Sequence, residues 1–291
     1  MAQTSTTGNL EKAQDIILAA SKYTEEHNAP AVNLIEQFPL PKGAKQVTVP
    51  KVGQMSMSDL VDGQDIVDEE DIGMTTVALT ASEVGAKVIL TDKLVRQASD
   101  NVFSMIGRQL GDGMARKKDG DVLDLYTNLN EGTKLGQTTK ELTADNITAC
   151  IATAKANKFG SQLYILHHPN AVAALAASAA ATASATSSEI SSGWSADLLK
   201  NFYSGLRPIN GVSIFEDGNI SEDSNGDGIG VIADKGAMAV LTSVETKTER
   251  QRDASLRATE VVMTSDYGVF ELDDSRGAGL LYKVSDLATN N

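Results

Sequence analysis

The sharpest chemical pattern in the chain is Asp223-Ser224-Asn225-Gly226-Asp227-Gly228. It matches the first half of a calcium loop, D-x-[DN]-x-[DN]-G. Side-chain oxygens at alternate positions converge on one hard cation, and the glycine permits the sharp turn. With Asp223 as position one, position twelve falls on Asp234, where a longer Glu is usual because it binds through both oxygens. The ligands of such an ion are Asp223, Asn225, Asp227 and Asp234, with a backbone carbonyl from residue 229. Residues 211–215 and 229–232 read as flanking strands, however, where an EF-hand has helices. The same residues also suit a plain hairpin turn, which favours Asp, Asn and Gly. Both readings stand, and calcium is the one cofactor the residues suggest.

Other reactive residues point away from catalysis. His167 and His168 are adjacent, so on a strand they face opposite sides and cannot easily share a metal. A histidine capping the helix that starts at Pro169 is the simpler reading. Cys150 lies beside Ile151 on an apolar helix face, as a buried core thiol does. No G-x-S-x-G elbow and no G-x-x-x-x-G-K-[ST] phosphate loop occurs. Seven acids between Asp59 and Asp71 read as a solvated surface. The run Glu245, Lys247, Glu249, Arg250, Arg252, Asp253 and Arg257 suits a solvated strand face or charged contacts between subunits. No catalytic residue is assigned, and an enzyme is not expected.

Composition narrows the field further. The chain has 291 residues, 41% hydrophobic and only 4% aromatic, so its core must be aliphatic. A net charge of -14, from 25 basic and 39 acidic residues, argues against binding nucleic acid through phosphates. Enclosing DNA without gripping it escapes that objection. A single cysteine excludes an intrachain disulfide. Met1–Asn9 lacks a basic and then apolar signal pattern, and Ala171–Ala181 is too short to span a bilayer. A cytoplasmic protein with no membrane partner is expected.

The elements that would position these residues are mixed. Residues 9–27 carry Leu10, Ala13, Ile17 and Ala20 at helical spacing, with Asn9 as N-cap. Pro30, Pro39 and Pro41 then break regular structure. Gln46–Val52 alternates like a strand, and its proline places it at an edge. The acidic stretch 53–74 reads as a loop tip, and Thr75–Leu90 returns as strand. Together they predict an extended hairpin, which suits a subunit that overlaps its neighbour. Leu94, Ala98, Val102, Ile106, Leu110 and Met114 predict one long helix over 92–129, roughly 55 Å long. Gly107, Gly111, Gly113 and Gly120 weaken it. A second helix spans 143–158 with Thr143 as cap, a strand 162–166, and a third helix begins at Pro169. Residues 194–203 read as a helix, and 239–244 and 260–272 as strands. The mixture is α+β.

In this order the elements resemble the major capsid proteins of tailed bacteriophages, of the Hong-Kong-97 type. Local phrases carry the resemblance: YILHHPNAVAAL, GLRPINGVSIFEDGNI, and GVIADKGAMAVL followed by TKTERQRDASLRATEVVMTSDYGVFEL. The resemblance implies an N-terminal arm at 1–43, an E-loop hairpin at 44–90 and a peripheral domain with the spine helix at 91–140. It implies an axial domain at 141–238 and return strands of the peripheral domain at 239–291. It further implies a non-enzymatic subunit that assembles with itself into pentamers and hexamers. The resulting icosahedral shell would enclose double-stranded DNA, with portal and scaffold proteins as partners. The expected location is the virion, after assembly in the host cytoplasm. An encapsulin-type compartment shell, a calcium-binding surface or adhesion module, and a hydrolase with an unrecognised site are the alternatives.

Overall fold

The computed structural model describes residues 29–52, 74–97, 100–185 and 208–285. The expected helices at 9–27 and 194–203, and the acidic loop tip, lie outside these residues. Three sheets, one of them a two-stranded hairpin, and four α-helices organise the described residues.

The first sheet has the order β1-β10-β11-β4. Its strands are β1 (Glu36–Pro39), β10 (Met238–Asp253), β11 (Ala258–Glu271) and β4 (Ser82–Thr91). β1 runs parallel to β10, and the other pairs are antiparallel. Along β11, Val261, Met263, Ser265 and Tyr267 are buried at every second position, the alternation of a strand with one face on a core. The helices α1 (Asp92–Gln97) and α2 (Asp100–Leu125) follow β4. α2 buries Leu110, Met114, Ala115, Asp119 and Val122. Leu110, Met114 and Val122 join Val261, Met263 and Tyr267 in one cluster.

The long helix is thus shorter than its hydrophobic stripe. Tyr126 and Leu129 continue the stripe and are fully buried, but they belong to a turn after α2. Asn130, Glu131 and Gly132 have φ of 59°, 54° and 74°, a left-handed conformation that cannot continue a right-handed helix. Glycines in the sheet below accept this turn. A Cβ at Gly279 would lie 2.7 Å from the Tyr126 carbonyl oxygen.

The second sheet has the order β5-β12-β9-β6-β8-β7. In the same order these are Leu135–Gly136, Gly277–Lys283, Asp227–Asp234, Leu163–His167, Val212–Glu216 and Pro208–Ile209. The expected return segment is therefore divided: β10 and β11 stay in the first sheet, and β12 pairs with β9 in the second. Central β6, LYILH, is buried on both faces. Tyr164 and Leu166 join the cluster beneath α2, while Leu163 and Ile165 face the opposite way. That opposite layer includes α3 (Ala144–Ala156) and α4 (Pro169–Ala185). Thr143 caps α3 by accepting from the Asn146 amide at 3.3 Å. Pro169 opens α4, where its missing N–H costs nothing.

A separate two-stranded hairpin joins β2 (Gln46–Val52) to β3 (Met74–Thr80). The expected strand 75–90 is two strands, broken at Ala81 between β3 and β4.

Candidate functional site

The acidic motif forms a turn whose polar groups are already used. Asp223 Oδ1 accepts from the amides of Asn225 at 2.8 Å and Asp227 at 2.9 Å. Those amides, Asp227 first, hold its carboxyl below the usual carboxylate range. The Gly226 amide donates to the Asp223 carbonyl, and the Gly226 carbonyl accepts from Val284 and Ser285. Gly226 has φ 80°, where glycine is favoured. Asp227 is buried, and its carboxylate accepts from the Thr139 amide at 2.9 and 3.0 Å.

Asp234 does not join this turn. Asp227 and Asp234 are the two ends of β9, about 23 Å apart at ~3.3 Å per residue. A calcium loop wraps its twelfth residue back onto its first, whereas a straight strand carries it away. Asp234 instead accepts from the Gln162 amide at 3.0 Å and from Gly236 and Arg276 at 3.4 Å. The structure therefore brings Asp223, Asn225 and Asp227 together and leaves Asp234 apart. Their hydrogen bonds support the turn reading. No cluster of three or more His, Cys, Asp or Glu suited to a metal occurs among the described residues.

The other candidates have structural partners. His167 Nδ1 accepts from the His168 amide at 2.9 Å, and its ring is fully buried beside Tyr282. Burial lowers its pKa to about 4. His168 Nδ1 accepts from the Asn170 amide at 3.2 Å, which caps α4. The Cys150 thiol lies 3.2 Å from the Tyr282 hydroxyl. Burial pushes that thiol up, which keeps it protonated and poorly nucleophilic. The charged run lies on and just beyond β10. Arg252 grips Asp92 through two bonds of 2.5 and 2.8 Å, and Lys247 pairs with Glu249 at 2.9 Å.

Clefts in the described surface do not gather these groups. One of ≈ 660 Å³ lies between the segment after Ala29, β1, β10 and Lys118 of α2. It has no His, Cys or Asp in its lining. Another of ≈ 490 Å³ is lined by Cys150, Tyr282 and Lys140. No described helix is long and apolar enough to cross a membrane.

What remains conspicuous is a surface, the β2–β3 hairpin. Gln46, Thr48, Pro50, Thr76, Ala78 and Thr80 are exposed along one face and carry no charge. Val47, Val49 and Val77 on the other face are half-buried, and Leu79 is buried. Lys51 ties this hairpin to Asp273 at 2.6 Å.

Comparison with known proteins agrees with a shell subunit. A family profile described as phage capsid protein matches residues 74–283. No curated protein matches the chain in sequence. Among solved structures, one of Mycobacterium phage Che8 aligns at TM-score 0.63 and 14% identity, over 88% of this chain and 91% of that one. The capsid of Ralstonia phage GP4 aligns at 0.61 and 13%, over 89% of both chains. An encapsulin from Synechococcus elongatus aligns at 0.60 and 13%, over 90% of this chain and 91% of that one. At these identities the structures establish the fold alone, and the family rests on the profile. This chain belongs to the phage capsid protein family: it is a structural capsid shell subunit with the Hong-Kong-97-like fold.

Proposed function

We propose that the chain is the major subunit of an icosahedral phage head, arranged as pentamers and hexamers around double-stranded DNA. The observation that carries this is the β2–β3 hairpin. Its uncharged outer face finds no cover among the described residues, and a two-stranded hairpin is marginal in water by itself. A neighbouring copy supplies the missing surface, so the hairpin acts as the E-loop. In this reading the β1–β10–β11–β4 sheet with α2 forms the peripheral part, and the six-stranded sheet the axial part.

The head is filled through a portal after assembly with a scaffold in the host cytoplasm, and the subunit does no chemistry. A net charge of -14 suits a wall that surrounds DNA without holding it. The family match favours a phage head over an encapsulin compartment, whose fold is equally similar.

The test is removal of residues 54–73 with a short linker in their place. The expected product is a folded subunit that no longer assembles. Normal shells from the shortened chain would contradict the role given to the hairpin. Free subunits should also bind duplex DNA weakly and without sequence preference at physiological salt. Tight sequence-specific retention in a gel-shift assay would count against the reading.

A further inference from the structure

Two aspartates are buried against each other at the junction of three parts of the fold. Asp119, on α2, is 0% exposed, and Asp217, just after β8, is 2% exposed. Asp119 Oδ1 accepts from the amide of Ala31, near the first described residue, at 3.0 Å. Its Oδ2 accepts from Asn219 Nδ2 at 2.9 Å. Asp217 Oδ1 accepts from the Asn219 amide at 2.8 Å, and the Asp217 amide donates to the His167 carbonyl at 3.0 Å. Asp217 Oδ2 is buried and has no hydrogen-bond partner among the described residues, so Asn219 holds one buried carboxyl through its side chain and the other through its amide. Two buried carboxyls met only by neutral donors are costly to ionise together, which favours a proton on Asp119.

We propose that Asp119 holds a proton beside Asp217 and acts as a pH-sensitive tie between the segment at Ala31, the long helix and the six-stranded sheet.

The surroundings favour this assignment. Tyr126, in the turn after α2, feels Tyr164 of β6 and both carboxyls. Both phenol hydroxyls are buried without a protein partner. Burial keeps both phenols neutral, so neither brings a charge to the pair. Asn219 and the Ala31 backbone supply neutral donors. Lys118, the adjacent residue on α2, reaches Thr246 and lies 5.3 Å from the Tyr267 ring centre. Among the described residues, the groups that act on Asp119 are Asp217, Asn219 and the Ala31 amide.

The sign of the pH dependence follows from proton counting. Burial, and next the neighbouring Asp217 carboxyl, raise the Asp119 carboxyl from 3.8 to about 7. Between these values the closed tie binds more protons than the opened one. Closure is therefore favoured at the acid end and is progressively lost as pH rises through 7.

The test is amide hydrogen exchange of residues 29–35 and 217–220 in the full chain at pH 6 and pH 8.5, corrected for the intrinsic rate. Opening of these segments should increase about tenfold from the lower to the higher pH, given ionisation near 7 when closed and near 3.8 when open. Asp119→Asn keeps the acceptor for Ala31 and cannot titrate, so its opening should not change with pH. Asp217→Asn removes the neighbouring carboxyl, so its opening should change with pH less than that of the wild type, and it serves if the first variant fails to fold. A wild-type chain without the increase overturns the proposal. So does an increase of the same size in the Asn variants.

Discussion

The molecule contains two long β-hairpins that are built alike and stabilised differently. The β10–β11 hairpin pairs from Met238↔Glu271 to Asp253↔Ala258 and buries alternate residues of β11 beneath α2. The β2–β3 hairpin pairs from Gln46↔Thr80 to Val52↔Met74, and of its described side chains Leu79 alone is fully buried. Backbone pairing is comparable in kind, so it cannot be what separates them. The difference is burial: one hairpin has a core under it, and the other keeps one whole face exposed. Strand pairing sets a shape, and burial decides whether one subunit maintains it alone.

Truncation in the core should show the largest effect. Met263→Ala removes a fully buried side chain of β11 and should cost the isolated subunit about 2–4 kcal/mol. Val77→Ala in β3 should cost it less than about 1 kcal/mol, because that side chain is only half-buried. Urea unfolding of both variants measures the contrast; equal losses would erase it.

Acid offers a second way to separate the two regions. His167 is buried with its pKa lowered to about 4, against 6.5 when unfolded. The unfolded chain therefore takes up a proton first as pH falls. Stability should drop between about pH 6.5 and 4 by roughly 3 kcal/mol, and no further from this group below that range. His167→Gln should flatten this limb. The loss belongs to the six-stranded sheet, so exchange at 46–52 should be the less sensitive to the same acid.

The point where the hairpins meet gives a third test. A Cβ at Gly268 of β11 would lie 2.2 Å from the Thr80 carbonyl oxygen and 2.7 Å from the Phe270 ring. Gly268→Ala should therefore destabilise by about 1–3 kcal/mol and loosen the chain around Ala81. Thermal unfolding reads the first effect and proteolysis the second. The smallest change should come from Lys51→Ala. It removes the ion pair to Asp273, which is 41% exposed on the lysine side, and should cost under about 1 kcal/mol. Faster exchange confined to 46–52 is the expected sign.

Much of this architecture was legible in the residues. Alternation in QVTVPKV, the Thr143 cap and Pro169 each located an element, because each signal is local. The end of the long helix was not, since Tyr126 and Leu129 keep helical spacing while packing from a turn. The placement of β12 was equally hidden, because pairing with β9 is a long-range choice. The site fared similarly. Asp223, Asn225 and Asp227 share a turn as their spacing suggested, but the strand that carries Asp234 away cannot be read from a motif. Asp119 and Asp217 were passed over because nothing in sequence joins residues so far apart. The one available hint was an aspartate on the buried stripe of an amphipathic helix.

The central claim is that this chain builds a closed shell by covering each copy's β2–β3 hairpin with a neighbour. Electron microscopy of the purified full chain, beside the chain lacking 54–73, tests it most directly. Closed shells of uniform size from the first and none from the second are predicted. Single subunits from the full chain at every concentration, or identical shells from both, would contradict it.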